Sequence, residues 1–361
     1  MGTDAVRLLD ARGLTLAQAL GVERGMVVVL VGAGGKTTAM FRLAREVAAA
    51  GSRVLVTTTT KILPPAPHEA GATILCEDAQ GLLCAVSAAL ADNPIVAVAR
   101  GLSAEGKLLG LDPDWIGELK ALPGVANVFV EGDGSAGRPF KAPAAYEPVI
   151  PPAADLVVPV VGLSVLGRPL SAAYVHRPER VAQLTGAAEG SVITPSLVAT
   201  VLMHREGSAR GAPAGAAVIP LLTQVEDEAR LAGGRHLAAA LLHRGAEKVV
   251  IAALHEPRPV REVVVPTGHA PEPSDSPASA PADTAPIAAV ILAAGEARRM
   301  GLPKLGLLLG GKSILRCVVE TALSAQVDEV IVVLGHAAAE LEADLPQDAR
   351  LRVVHNVRYA E

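Results

Sequence analysis

The sequence predicts an α/β protein: a doubly wound, mostly parallel sheet covered by helices, then a proline-rich linker, then a second, partial α/β domain. Three observations carry this. Short apolar runs alternate with helical patterns from Met26 to about Leu254; twenty-one residues, 266–286, hold six prolines and no apolar periodicity; and a fresh buried run opens at Ala288. With 361 residues, half of them apolar, the chain is long enough for two cores. Aromatics make up only 2%, so those cores are built from small aliphatics and offer no base-stacking platform.

In the first domain, predicted over 1–265, strands are expected at Val27–Val31, Arg53–Thr57, Ile95–Ala99, Val125–Glu131, Leu156–Val160, Ala217–Leu222 and Lys248–Ala253. Each is a short run rich in Val, Ile or Leu, as strands buried on both faces require. Helices are expected at Thr37–Ala50, stopped by Gly51; at Asp78–Ala91; from Pro178, a residue suited to a first helical turn, to Leu184; and from Glu226 to about Leu242. Polyproline geometry at ~3.1 Å per residue would let the linker 266–286 span up to roughly 60 Å. In the second domain, 287–361, the strand from Ala288 is followed by a helix Ser313–Ser324, a strand Glu329–Leu334, a helix from His336 and a strand Leu351–Val354. Seventy-five residues are few for an α/β layer fold, so the chain is expected to end inside this domain.

The formal net charge of −5 excludes a broad electrostatic footprint for nucleic acid or anionic membrane. Cys76, Cys84 and Cys317 are isolated, which suggests neither a zinc site nor a disulfide framework and leaves buried free thiols as the expectation. The first twenty residues lack the apolar core of a signal peptide and no 18-residue apolar run occurs, so a cytoplasmic location is expected.

The first chemical motif is Val27-Val28-Val29-Leu30-Val31-Gly32-Ala33-Gly34-Gly35-Lys36-Thr37-Thr38. A strand empties into glycines and then Lys-Thr-Thr, the pattern of a phosphate-binding loop in its short Gly-x-x-Gly-Lys-Thr-Thr form. Gly32, Gly34 and Gly35 let backbone N–H groups curl around a phosphate, Lys36 adds a point charge, and Thr37 and Thr38 open a helix, Thr37 with a hydroxyl suited to Mg²⁺. ATP or GTP is the expected ligand. Glu131-Gly132-Asp133-Gly134-Ser135 ends another strand on the same edge, and Glu131 with Asp133 are the candidate catalytic and Mg²⁺-holding carboxylates. Thr57 to Lys61 closes the second strand there; Thr58 and Lys61 suit a substrate contact, and threonine equally suits a plain strand. Arg138 and Lys141, on a proline-stiffened loop, suit either an anion clamp or a solvated basic loop. Leu221 to Asp227 follows a late strand where guanine-specific NTPases carry Asn-Lys-x-Asp. Thr223 and Gln224 stand in place of Asn and Lys, so the base is not readable, and Asp227 suits a helix cap.

These residues, with Lys141-Ala142-Pro143, Glu147 to Pro151 and His176-Arg177-Pro178-Glu179, together resemble the YqeC family over roughly residues 10–255. The resemblance implies an accessory protein of selenium-dependent molybdenum hydroxylases, hence a molybdopterin-type cofactor and a hydroxylase apo-enzyme as partners, on a P-loop NTPase-type fold. Leu292-Ala293-Ala294-Gly295 through Arg299 to Lys304 is the second signal: a strand opening into a small-residue loop, with Arg299 and Lys304 placed to neutralise a triphosphate. It resembles the nucleotide loop of MobA-like molybdenum-cofactor nucleotidyltransferases, a Rossmann-like fold. That resemblance implies CTP or GTP as the nucleotide, with a Mg²⁺-binding aspartate beyond Glu361, so the segment is expected not to transfer a nucleotide as it stands. Gly310-Gly311-Lys312-Ser313 looks like a phosphate-loop ending but has no buried strand before it, and is read as a turn before a helix. Two other functions fit the first domain: ATP-dependent ligation of the Mur kind, suggested by the short loop, and a nucleotide-gated carrier of cofactor without turnover.

Overall fold

A computed structural model describes residues 6–11, 13–267, 288–293, 308–309, 312–324, 329–335 and 338–356. The chain divides into two units, Met1–Pro271 and Glu272–Glu361.

The larger unit is built on one sheet. Its main strands are β1 (Val6–Leu9), β2 (Val27–Gly32), β3 (Arg53–Thr58), β4 (Ala72–Leu75), β5 (Ile95–Ala99), β6 (Val125–Glu131), β7 (Leu156–Gly162), β8 (Leu221–Thr223), β9 (Val249–Ala252) and β10 (Val260–Pro266). They lie in the order β1-β10-β9-β8-β7-β2-β6-β3-β5-β4, parallel from β9 to β4 and antiparallel where β10 meets β9 and β1. The helices are α1 (Leu16–Leu20), α2 (Lys36–Ala49), α3 (Ala79–Asp92), α4 (Trp115–Lys120), α5 (Pro178–Thr185), α6 (Pro195–Met203) and α7 (Glu228–Leu242).

The apolar runs become central strands because both of their faces are covered. In β2, Val28 and Leu30 pack with Met40 and Phe41 of α2 and with Leu16 and Leu20 of α1. Val27, Val29 and Val31 face the opposite layer, with Leu82, Val86 and Leu90 of α3 and Ile116 and Leu119 of α4. Beyond β7 a third cluster joins Val161, Leu222, Val249 and Ile251 to Val181, Val198 and Leu237 of α5, α6 and α7. Asp78, Thr194 and Asp227 cap α3, α6 and α7 by accepting from the amides of Gly81, Leu197 and Arg230.

Several elements depart from the sequence expectation. The run Ala217–Leu222 breaks into Ala217–Val218 and β8, because Pro220 has no N–H to give a ladder. β1, β4 and β10 were not foreseen; β1 and β4 are half-exposed edge strands, and β10 runs one residue into the expected linker, Pro266 pairing with Val6. Helices α1, α4 and α6 also escaped the periodicity. The linker from 268 to 286 lies outside the described residues. The three cysteines are free thiols, but not the buried ones expected: Cys84 is exposed on α3, and Cys76 and Cys317 are partly exposed.

In the smaller unit β11 (Ala288–Ala293), β12 (Glu329–Leu334) and β13 (Leu351–His355) form a parallel sheet in that order, with α8 (Ile314–Ser324) and α9 (Ala338–Ala343). Leu315, Val319 and Leu341 from the helices pack on Val330, Val332 and Leu334. Among the described residues no helix is long and apolar enough to cross a membrane.

Candidate functional site

The glycine loop joins β2 to α2 at the carboxyl edge of the parallel strands, where open α/β sheets bind ligands. Its glycines are required by geometry. Gly32, Gly34 and Gly35 have φ of 91°, 82° and 130°. A Cβ on Gly32 would lie 2.4 Å from the Val160 carbonyl oxygen, and one on Gly34 would lie 2.3 Å from the Gly162 nitrogen. The loop is pinned against the end of β7, where the Ala33 N–H donates to the Val160 carbonyl at 2.9 Å. Thr223, at the end of β8, donates its hydroxyl to the Gly34 carbonyl and reaches the Val161 carbonyl at 3.1 Å. The amides of Gly34 and Gly35 have no protein acceptor among the described residues.

Lys36 is buried at the first turn of α2. Its Nζ donates to the Gly32 carbonyl at 2.7 Å and lies 3.4 Å from Asp133 Oδ1 and 3.6 Å from Glu131 Oε1. The Thr37 hydroxyl donates to Glu131 Oε2 at 2.6 Å. Register explains this meeting, since β6 pairs directly with β2 and Glu131 is level with Leu30. Burial raises the Glu131 pKa, opposed by the Lys36 charge and the Thr37 hydroxyl and reinforced by neighbouring Asp133. A hydroxyl and a carboxylate in contact are hard oxygen donors. They fit Mg²⁺, which takes one or two protein oxygens and fills its remaining positions with phosphate and water.

Asp133 sits differently from the expectation that paired it with Glu131. The Gly32 N–H lies 3.0 Å from both of its oxygens, and Lys36 and Lys141 flank it at 3.4 and 2.9 Å. Its carboxylate is spent on the loop and two ammonium groups rather than turned to the Thr37 hydroxyl. Lys141 is likewise no surface clamp: its side chain is buried and donates to the Gly134 carbonyl at 2.6 Å and to Glu147 Oε2 at 2.7 Å. Arg138 is exposed and carries no ion pair among the described residues. Thr58 is fully buried, its hydroxyl donating to the Glu131 carbonyl at 2.9 Å and accepting from the Thr60 amide at 3.0 Å. Lys61 lies apart, exposed on the two-residue strand Lys61–Ile62 that pairs with Leu108–Leu109.

A cavity of about 410 Å³ opens beside the loop, lined by Gly34, Gly35 and Thr38 on one wall and by the segments after β8 and β9, including Gln224, His255 and Glu256, on the other. The segment after β8 had a sequence signal; the one after β9 had none. Glu147 and Arg177 also escaped notice as site residues, although Arg177 precedes a helix-starting proline with φ of 65°, a backbone region rarely occupied by non-glycine residues.

In the smaller unit, Leu292 and Ala293 end β11, the first largely exposed and the second buried. Ala294, Gly295, Arg299 and Lys304 lie outside the described residues. Lys312 pairs with Glu320 at 2.7 Å, and Ser313 accepts from the Arg316 amide at 3.1 Å; where the sequence suggested a turn before a helix, Lys312–Ser313 is a two-residue strand paired with Leu308–Leu309, and α8 begins directly after it.

Comparison with known proteins agrees with this division. Residues 28–179 match the YqeC protein family and residues 289–361 match the MobA-like NTP transferase domain. The uncharacterized protein YqeC of Escherichia coli (strain K12) is 34% identical over 194 residues, 54% of this chain and 73% of that protein. The bifunctional protein GlmU of Albidiferax ferrireducens is 46% identical over 56 residues, which are 15% of this chain and 12% of GlmU. Among solved structures, Rv0371c from Mycobacterium tuberculosis H37Rv is 33% identical, with 20% of this chain and 40% of that one covered at a TM-score of 0.18. A mostly parallel sheet, a glycine loop facing a strand-end glutamate, and a relative aligned over most of its length lead to one conclusion: the chain belongs to the YqeC family and carries a MobA-like NTP transferase segment after it.

Proposed function

We propose that the larger unit binds a Mg²⁺–nucleoside triphosphate, ATP or GTP, in the service of molybdenum-cofactor maturation. The observation that carries this reading is the contact of Thr37 with Glu131 at the foot of a loop whose Gly34 and Gly35 amides have no acceptor among the described residues. Those amides and Lys36 would hold the β- and γ-phosphates, Thr37 and Glu131 would hold Mg²⁺, and the metal would neutralise phosphate charge. The cavity beyond Gly35 and Thr38 has room for the nucleoside. Asp133 would organise the loop through the Gly32 amide, and the exposed Arg138 would meet an anionic substrate.

The YqeC and MobA-like matches together support a role connected with molybdenum cofactor, with a molybdopterin-type compound as substrate or cargo and a molybdenum hydroxylase as its destination. For the smaller unit, CTP or GTP would be the nucleotide. Calorimetry with ATP and GTP in the presence of Mg²⁺ tests the central claim. Binding that Lys36→Ala removes supports it, and full affinity in that variant would sink it. The enclosure of Asp133 favours a second reading, nucleotide-gated carriage with little turnover, because the Asp133 carboxylate is held by the Gly32 amide, Lys36 and Lys141 instead of being turned to activate water. Phosphate release that stays negligible until apo-hydroxylase is added distinguishes that reading from a self-sufficient NTPase.

A further inference from the structure

Six buried or half-buried charges alternate in one chain behind the glycine loop. Glu131 meets Lys36 at 3.6 Å, Lys36 meets Asp133 at 3.4 Å, Asp133 meets Lys141 at 2.9 Å, Lys141 meets Glu147 at 2.7 Å, and Glu147 meets Arg177 at 2.7 Å. Three are positive and three negative, so the chain is neutral. Its far end is anchored. Arg210 donates to the carbonyls of Ala144 and Glu147, and the Glu147 amide donates to the Ala144 carbonyl at 3.0 Å, which fixes the loop that presents the Glu147 carboxylate. Arg177 lies over the exposed Tyr146 ring, 6.0 Å from its centre.

Lys36 has two demands on it. In this structure it neutralises Glu131 and Asp133, whereas a bound triphosphate would call it to the β- and γ-phosphates. If Lys36 leaves, Asp133 remains buried with the Gly32 amide and whatever other cation is present, and a buried carboxylate without a cation is costly. Lys141 is that other cation, and Glu147 and Arg177 hold it there. Lys141 also donates to the Gly134 carbonyl, which ties it to the loop carrying Asp133.

We propose that Lys141 is a positioning residue for the nucleotide's phosphate tail: with Glu147 and Arg177 behind it, it keeps Asp133 compensated and seated on the Gly32 amide, and so releases Lys36 to the β- and γ-phosphates. This rests on the nucleotide-binding reading above. Lys141 touches no ligand in this role. It acts through Asp133 and Lys36, and its influence falls on ligands that require Lys36 to move.

The test compares ATP with AMP, binding to the full-length chain with Mg²⁺ by calorimetric titration and competition. Absence of ATP binding to the wild-type chain would dispose of the nucleotide reading itself, before Lys141 is tested. Given that binding, Lys141→Met is expected to weaken ATP roughly tenfold or more while leaving AMP within about twofold, because AMP has no β- or γ-phosphate for Lys36 to reach. A folded Lys141→Met chain with unchanged ATP affinity, or with ATP and AMP weakened equally, overturns the proposal. Should that variant fail to fold, Arg177→Met decides at the partly exposed end of the chain. There the ATP-to-AMP affinity ratio is expected to fall roughly threefold, and an unchanged ratio overturns the proposal.

Discussion

At the scale of single residues, the loop's glycines are constrained by distance as much as by dihedral angle. Gly34 combines φ of 82° with a Cβ position 2.3 Å from backbone nitrogen, and backbone cannot step aside as a flexible side chain would. Gly34→Ala is therefore expected to cost about 2 kcal/mol or more, read as a lower thermal midpoint, and to displace the loop from β7. Glu147 has a pH signature. Burial pushes its pKa up, but hydrogen bonds and charges from Lys141 and Arg177 outweigh this, and the carboxyl ends below its ordinary value of 4.5. A carboxyl lowered in the folded state stabilises fully above its unfolded pKa, and that stabilisation fades as pH falls toward the folded one. The stability gap between wild type and Glu147→Gln, measured by urea unfolding, should accordingly be largest near neutrality and shrink below about pH 4.5. Lys36, Thr37 and Glu131 were legible as candidates because loop chemistry is local, and the structure brings the three side chains together. The burial of Lys141 was not, because its partners Asp133 and Glu147 lie eight residues before and six after it on loops whose meeting is a tertiary fact.

Among elements, those the sequence marked well were buried on both faces. β5 and β6 coincide with their expected bounds, and β2 and β3 differ by a residue at one end. Their residues answer to one requirement, the covering of both faces, and a run of Val, Ile and Leu states it plainly. Edge strands answer to mixed surroundings: Ala72–Leu75 alternates between half-buried and exposed, a weak pattern in a four-residue stretch. The strand β8 has only three residues, yet it fixes the glycine loop through the Thr223 hydroxyl. Thr223→Val keeps the shape and the strand preference but leaves the buried Gly34 carbonyl without this donor. It should cost roughly 1–2 kcal/mol in stability, measured by denaturant unfolding, and weaken Mg²⁺–ATP binding at the same time.

For the whole molecule, the chain divides into two units at a point inside the proline-rich stretch 266–286, and each unit has apolar clusters of its own. The YqeC match and all of the loop geometry belong to the larger one. A chain ending at Thr267 is expected to fold, to melt within about 2 °C of the larger unit's transition in the full chain, and to keep its nucleotide affinity, as scanning calorimetry and titration would show. The neutral row of charges behind the glycine loop has a kinetic meaning as well. An ammonium already matched by carboxylates casts little field into solvent, so an approaching polyphosphate would be drawn in by no long-range pull. Capture would depend on an exchange of partners after contact, and its speed would change little with ionic strength.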